Sequence, residues 1–575
     1  MLIDGCENKR INTKEFSINN TTAIDDFGRE IEIVKEKKCK DRYVGLFYFL
    51  ALGNHSDHKG EYDVNKITNG GENLEEFFLR NDEVSPIGAA HFWDKPLFDY
   101  YESQDEWVLR RHIEMLTHAR VDFLVTDTTN GIIYENVLGK LLDLLDEYYK
   151  DGWNVPKLVL YLNQKSEELV RHVYKNYYKD GKYDNVWFKP NGKPMIIFNI
   201  DEAKFNAEKK KDKEILDYFE IKDKQWPILD YIHKDGVPWI DFEYPQRNYN
   251  KWMNVSVAQH TTIMMSDIYG SQGRGFDYKD HKNHSDLKSL KQNINFEGQW
   301  KTVFEANEEE VKYVFVTGWN EWVALKMYIK NYANDRPFMV DNFNVEFSRD
   351  LEPSTTLGDN GYLSLIRNIR KFNYEVAEKE YSEDITIEDI SSFDEKAWEG
   401  AKVYEDFGKE TIKRKARNIC NTRDIINETG RNDVLKVKVA KDSKNIYFRI
   451  ETREDITPYV EGDNCWMNLM IKLPDAQKGG LMGFQYIINK IVKDNNKSSV
   501  CKYIDGKYKE IAECERYVLG NVMQIKVSRR SMDIKAKNLE FVFKIADNVT
   551  DTENYYSYYT TGDVAPIGRL VYKFM

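Results

Sequence analysis

Between about residues 40 and 375, short apolar runs alternate with longer amphipathic stretches, and no other feature of the chain restricts its fold as much. That alternation is the pattern of βα units around a parallel sheet, because strands covered by helices read as nearly continuous apolar runs. The runs are VGLFYFLAL (44–52), VDFLVTD (121–127), KLVLYLN (157–163), PMIIFNI (194–200), WIDFE (239–243), VSVAQH (255–260) and YVFVTGW (313–319). FMVDNF (338–343), or a segment near Ile87, supplies an eighth, and the spacing then predicts an α/β chain folded as a (β/α)8 TIM-like barrel.

Helices are readable between the runs. Ahead of Lys150, the residues Val137, Leu138, Leu141, Leu142, Leu145 and Tyr148 recur at helical spacing and define one apolar stripe. A second helix, with Val108, Ile113, Met115 and Leu116, opens with Asp105 or Ser103 as its N-cap.

The length of 575 residues exceeds the roughly 250–300 at which single cores stop growing, so a second domain is expected. The helical periodicity ends in the acidic stretch 376–395. Beyond it VLKVKVAKD, NIYFRIETRED, CWMNLMIKL and LEFVFKIADN read as short alternating strands of an antiparallel β-sandwich. The expected organisation is an N-terminal extension (1–40), a barrel carrying the active site (41–380) and a β-sandwich domain (381–575).

A net charge of −13 disfavours nucleic acid as a partner, because phosphate backbones are held by basic patches. No run approaches the roughly 18 apolar residues of a membrane span. The opening MLIDGCENKRINTKEF lacks the pattern of a secretion signal, which fits a cytoplasmic protein or a secreted one whose signal peptide is absent from this sequence. The cysteines are scattered without zinc-ligand spacing, so no cofactor is expected; the HxDH pattern of His55, Asp57 and His58 is the one metal-like cluster, with a solvated loop as its plainer reading.

Active sites of parallel α/β barrels lie at the C-terminal ends of strands, where polar residues follow apolar runs. Asp127, Asn163, Asp241, Glu243, Gln259, His260, Asn320 and Glu321 occupy such positions, from five different runs. Glycosidic cleavage needs two carboxyl groups, one to protonate the leaving oxygen and one as base or nucleophile. Glu321, Asp127 and Glu243 form the available pool. Trp319 and Trp322 flank Glu321 as sugar platforms whose apolar bulk raises its carboxyl pKa. Against this stand plainer roles: a structural carboxylate for Glu321, an N-cap for Asp127, core hydrogen bonding for His260. Asp241 and Glu243 alternate along one run, and only one of them faces the barrel interior. The ring-rich AAHFWDKPLFDYYES (89–103) offers His91, Trp93, Tyr100 and Tyr101 as a loop over the mouth, with core packing as the alternative.

VFVTGWNEW resembles the strand-end FNEW or WNEW motif of glycoside hydrolase family 99-like and family 71-like barrels, and of WbsX-type proteins of polysaccharide gene clusters. HFWDKPLFDYYES, VDFLVTDTTNG, WIDFEYPQ, VSVAQH and FNVEFSRDLEP (343–353) extend a resemblance to bacterial glycosidase-like proteins over about residues 40–375. The resemblance implies hydrolysis of O-glycosyl bonds in an oligo- or polysaccharide, with Glu321 catalytic. Family 99 enzymes carry a second catalytic Glu three residues after the motif's Glu, where this chain has Ala324. The partner of Glu321 is then expected from another strand, Asp127 or Glu243. DVLKVKVAKDSKNIYFRIET (433–452) resembles carbohydrate-binding family 9-like and DOMON sandwiches. A sugar-binding or glycosyltransferase-associated protein without hydrolysis, and a metal-dependent hydrolase built on His55, Asp57 and His58, are the competing readings.

Overall fold

A computed structural model describes residues 12–39, 41–53, 60–200, 204–206, 208–307, 309–474 and 479–575. Eight parallel strands follow one another around a barrel: β1 (Tyr43–Tyr48), β2 (Phe123–Thr128), β3 (Lys157–Leu162), β4 (Met195–Ile197), β5 (Glu220–Gln225), β6 (Gly236–Pro238), β7 (Trp252–Ser256) and β8 (Tyr313–Thr317). Hydrogen-bonded ladders run from β6 through β1 and β8 to β7. The barrel is nearly closed: between β6 and β7 the described contact is the Asn254 amide, whose Nδ2 donates to Trp239 O at 2.9 Å and to Phe315 O at 3.0 Å.

The alternation of side chains along these strands explains the continuous apolar runs, because both faces are buried. Phe47, Phe123, Val125, Val159, Tyr161, Met195, Ile197, Val237, Trp252, Tyr313 and Phe315 fill the inside. Their neighbours Leu46, Leu124, Leu158, Ile196, Val255 and Val314 belong to the core beneath the helices. Gly45 is required on the inner face of β1, since a Cβ there would stand 2.3 Å from the Phe123 ring.

Helix α1 (Glu106–His118) starts at Asp105, whose carboxylate accepts from Trp107 N at 3.1 Å. Helix α2 (Glu135–Lys150) buries the expected stripe of Val137, Leu138, Leu141, Leu142, Leu145 and Tyr148. Its cap position is Tyr134 in the left-handed region, so Asp127 does not cap it. Three strand expectations are corrected. β6 ends at Pro238, leaving Trp239–Glu243 as irregular chain beyond the strand end. β7 starts three residues before VSVAQH and stops at Ser256, its second residue, so Gln259 and His260 also lie past it. FMVDNF is irregular chain; the additional strand is β5, whose EIKDKQ hides itself by charge. Lys222 within β5 pairs with Glu220 at 3.2 Å and Asp235 at 3.4 Å, which suits a strand that is only partly covered.

The C-terminal region is built on a large antiparallel sheet wrapped around its own core, with a separate two-stranded ribbon, Arg414–Arg417 paired with Asp424–Asn427. Its strands are β9 (Lys402–Glu405), β10 (Val434–Lys441), β11 (Asn445–Thr452), β12 (Asn468–Lys472), β13 (Tyr486–Val492), β14 (Lys497–Ile504), β15 (Lys507–Leu519), β16 (Val522–Ser528), β17 (Phe541–Asp547), β18 (Asp563–Ala565) and β19 (Val571–Phe574). Inward residues such as Val437, Phe448, Leu469, Ile488, Ile525 and Phe543 form that core. The two edges of the sheet meet, Tyr404 Oη donating to Lys573 O at 2.8 Å and Tyr572 Oη to Glu405 O at 2.9 Å. A strand from the N-terminal segment, Thr21–Thr22, completes the sheet by pairing antiparallel with Val571 and Tyr572. Among the described residues no helix is long and apolar enough to cross a membrane.

Candidate active site

The C-terminal ends of the barrel strands surround a cleft of about 340 Å³. Phe47 and Phe49 come from the end of β1, Asp127 and Thr129 from β2, Asn163 from β3, Trp226 from β5, Trp239 from β6 and Glu321 from the chain after β8. Asp341 closes the lining from the loop beyond. The cleft size suits a small ligand or a few sugar rings.

Glu321 is only 7% exposed. Its Oε2 accepts from Arg349 Nη2 at 2.8 Å, and its backbone N–H donates to Asp350 Oδ1 at 2.8 Å. Asn342 Nδ2 holds its carbonyl oxygen. Burial pushes the Glu321 carboxyl well above the ordinary range; Arg349 opposes this, and Asp341, Asp350 and Asp127 add to it. Asp350, also buried, is pushed up to about 7.

Arg349 ties the floor of the cleft together. The same Nη2 reaches Asp341 Oδ1 at 3.4 Å, Nη1 meets His260 Nε2 at 3.3 Å, and the guanidinium lies 4.7 Å over the Trp239 ring. The segment 349–352 is threaded against the motif itself. Gly318 N–H donates to Arg349 O at 2.7 Å, Leu351 N–H to Gly318 O at 3.1 Å, and Glu352 N–H to Trp319 O at 2.9 Å. Behind the motif, Glu352 Oε2 accepts from Tyr101 Oη at 2.7 Å and from Trp322 Nε1 at 2.6 Å, while its Oε1 lies 3.1 Å from His112 Nε2. His112 Nδ1 in turn meets Tyr48 Oη at 2.8 Å.

The structure brings Glu321, Asp127 and Asn163 into one cleft. Asp127 Oδ1 accepts from Thr129 N–H at 3.1 Å and Thr129 Oγ1 at 2.7 Å, and Asn163 Oδ1 accepts from Lys224 Nζ at 2.7 Å. Other expected contacts are corrected. Glu243 is exposed and outside the cleft lining, because β6 stops at Pro238; Asp241 is bound to Arg247, Nη2 to Oδ1 at 2.8 Å. Trp319 and Trp322 are fully buried, and Trp322 stacks on Trp93 at 4.3 Å rather than on a ligand. Asn320 spends its amide on β1, accepting from Phe49 N–H at 2.8 Å and donating to Phe49 O at 3.1 Å. Gln259 is saturated by Asp241 O, Glu243 O and Gln299 Nε2.

His260 is 2% exposed and touches Arg349 instead of the cleft, its imidazole pushed down to about 3 by burial and by that guanidinium. His91 is enclosed, bonded to Ser85 Oγ at 3.0 Å, and burial pushes it down to about 4. Tyr100 and Tyr101 likewise point inward, to Asp63 and Glu352. The ring-rich stretch is therefore core, and a ribbon pairing Ala90–Phe92 with Val323–Leu325 borders the cleft with Ala90, Val323, Ala324 and Leu325. His55, Asp57 and His58 lie outside the described residues.

Among the cleft residues that the sequence did not single out are a carboxylate, Asp341, and two indoles, Trp226 and Trp239. Trp239 follows a strand directly, a signal masked by assigning the strand three residues late. Asp341 sits within FMVDNF, whose apolar residues mimic a strand, and Trp226 follows the charged β5.

No protein-family model matches the chain, and no curated protein matches it by sequence. Solved structures similar to it include the GH99 endo-alpha-mannosidase from Bacteroides thetaiotaomicron (14% identity, 58% of this chain and 98% of that chain, TM-score 0.31), and the same enzyme with bis-tris-propane (12% identity, 58% and 97%, TM-score 0.29).

Proposed function

We propose that the protein is a glycoside hydrolase that cleaves O-glycosyl bonds of an oligo- or polysaccharide at the mouth of the barrel, with Glu321 as the acid. The observation that carries this reading is the convergence of Glu321, Asp127 and Asp341 in a cleft floored by two indoles, Trp226 and Trp239. Burial favours the protonated form of Glu321, the form that can donate to the glycosidic oxygen. As that oxygen takes the proton, the bond to the anomeric carbon breaks and its electron pair leaves with the departing sugar. Asp341 or Asp127 then serves the anomeric carbon, as nucleophile or as base for a water. Asp341 shares Arg349 Nη2 with Glu321, a compact arrangement that favours it as the partner.

A sugar-binding protein without turnover is the second reading, and the Arg349 guanidinium on Glu321 Oε2 favours it. For the C-terminal sheet we propose glycan binding, on the strand pattern it shares with carbohydrate-binding modules. The deciding experiment is reducing-end release from a glycan panel by wild type, Glu321→Gln, Asp341→Asn and Asp127→Asn, each checked for folding by circular dichroism. Hydrolysis predicts a loss of roughly 10²–10⁴-fold in Glu321→Gln, the range of general acid catalysis. Undiminished turnover in that variant sinks the assignment, and binding without release by wild type selects the second reading.

A further inference from the structure

We propose that the junction between the barrel and the C-terminal sheet holds a divalent cation, calcium by its chemistry, on the carboxylates of Glu410, Asp433 and Asp563. Glu410 lies in the loop after β9, Asp433 immediately precedes β10 and Asp563 opens β18. They are 1%, 7% and 1% exposed. One oxygen from each lies within 4.8 Å of the others, the spacing of ligands around one ion.

A second observation points to a ligand independently of that clustering. Glu410 Oε1 and Oε2, Asp433 Oδ1 and Asp563 Oδ1 are buried, the Glu410 and Asp563 carboxyls face each other, and no N–H or hydroxyl among the described residues donates to these four oxygens. The remaining oxygens are fixed by backbone amides: Lys409 N–H donates to Asp433 Oδ2 at 2.9 Å and Val434 N–H to Asp563 Oδ2 at 2.7 Å. Each Asp is thus oriented with one oxygen left over, and Glu410 keeps both. A buried carboxylate oxygen without a partner is costly, so a set of four calls for a shared positive charge.

Arg111 and Lys544 lie near enough to act on these carboxyls through space, but both direct their hydrogen bonds elsewhere. Arg111 is turned to Glu114, Nη1 to Oε2 at 3.3 Å, and Lys544 donates to Pro566 O. Arg453 approaches Asp433 from the rim, 3.7 Å from the oxygen that already faces Lys409. Glu114 and Asp406, both buried, add further negative charge. An all-oxygen donor set with no His or Cys selects a hard cation. Calcium accepts mono- and bidentate carboxylates in irregular shells, whereas magnesium keeps several waters that so enclosed a site would exclude.

The consequence is mechanical. The loop carrying Glu410 docks on the barrel: Tyr148 Oη of α2 donates to Gly408 O at 3.1 Å, and Lys409 pairs with Glu147. A cation there clamps this loop to β10 and β18.

The test uses the full chain stripped with EGTA, with CaCl2 alone as the probe, read by calorimetric titration and by thermal melting. The expected result is one ion per chain at micromolar affinity or tighter, with a melting midpoint several degrees higher in calcium. Glu410→Gln should weaken calcium at least tenfold while melting in EGTA no lower than stripped wild type, since it removes one repelling charge. Asp563→Asn serves the same purpose if the first variant does not fold. Calcium that resists stripping and is counted as one per chain by mass spectrometry also supports the site. No heat, no shift in melting and a midpoint that instead climbs on acidification would mean that the carboxyls share protons, which overturns the proposal. So would tight binding of ZnCl2 or MnCl2 with none of CaCl2.

Discussion

Arg349 sets the acidity of Glu321. Burial and three neighbouring carboxylates favour the protonated form, and the guanidinium alone pulls the other way. The high-pH limb of kcat/KM reports the proton of the free acid. Because Arg349 lowers the Glu321 pKa, Arg349→Met is expected to move that limb to higher pH, and a pH profile of the folded variant measures it; a downward move contradicts the assignment. The indoles separate by the same reasoning. Trp239→Ala should raise KM by roughly tenfold for loss of a stacking surface and leave unfolding nearly unchanged. Trp322→Phe removes the hydrogen bond to Glu352 and should cost about 1–3 kcal/mol in urea unfolding without a matching change in KM. The place of Glu321 in the cleft was legible because polar residues follow an apolar strand there, whereas the flanking indoles misled: ring-rich sequence around a cleft residue is also what a tight core requires.

At the scale of elements, the strands with two buried faces announced themselves: β3, β4 and β8 lie within the apolar runs that predicted them, and β1 and β2 each overrun theirs by one residue. The others were obscured by physics. β5 is partly open to solvent and carries charge, while WIDFE reads as a strand although its ladder ends before it, and VSVAQH reads as a strand throughout although its ladder stops at Ser256. In both of those cases apolar residues continue into the loop because the loop is itself buried: Ile240, Val257 and Ala258 are all fully enclosed. That overrun is why Glu243 and Gln259 were credited with places in the cleft. The segment 349–352 was quoted for its resemblance, yet nothing in its pattern reveals that it lies beside the β8 end. Contact between segments remote in sequence leaves no periodic trace.

On the scale of the whole molecule, the barrel and the sheet are not separable by cutting where the composition changes. The strand Thr21–Thr22 belongs to the C-terminal sheet, and Arg370 of the helix Asn360–Asn373 donates to Thr21 O at 2.7 Å and to Glu32 O at 2.8 Å. A fragment of residues 41–380 therefore lacks the segment that covers its own arginine, and deletion of residues 1–25 bares the edge of β19. Both are expected to give lower melting midpoints and more aggregate than the full chain, measured by scanning fluorimetry and light scattering. Soluble fragments as stable as the parent would show that the shared strand is dispensable.

The same pairing dictates an order of events. On the ribosome Thr21 and Thr22 are made early, and their partners Val571 and Tyr572 come only after the barrel and nearly all of the sheet have been synthesised. The barrel is free to assemble while the chain is still growing, but this seam closes only when β19 has left the exit tunnel.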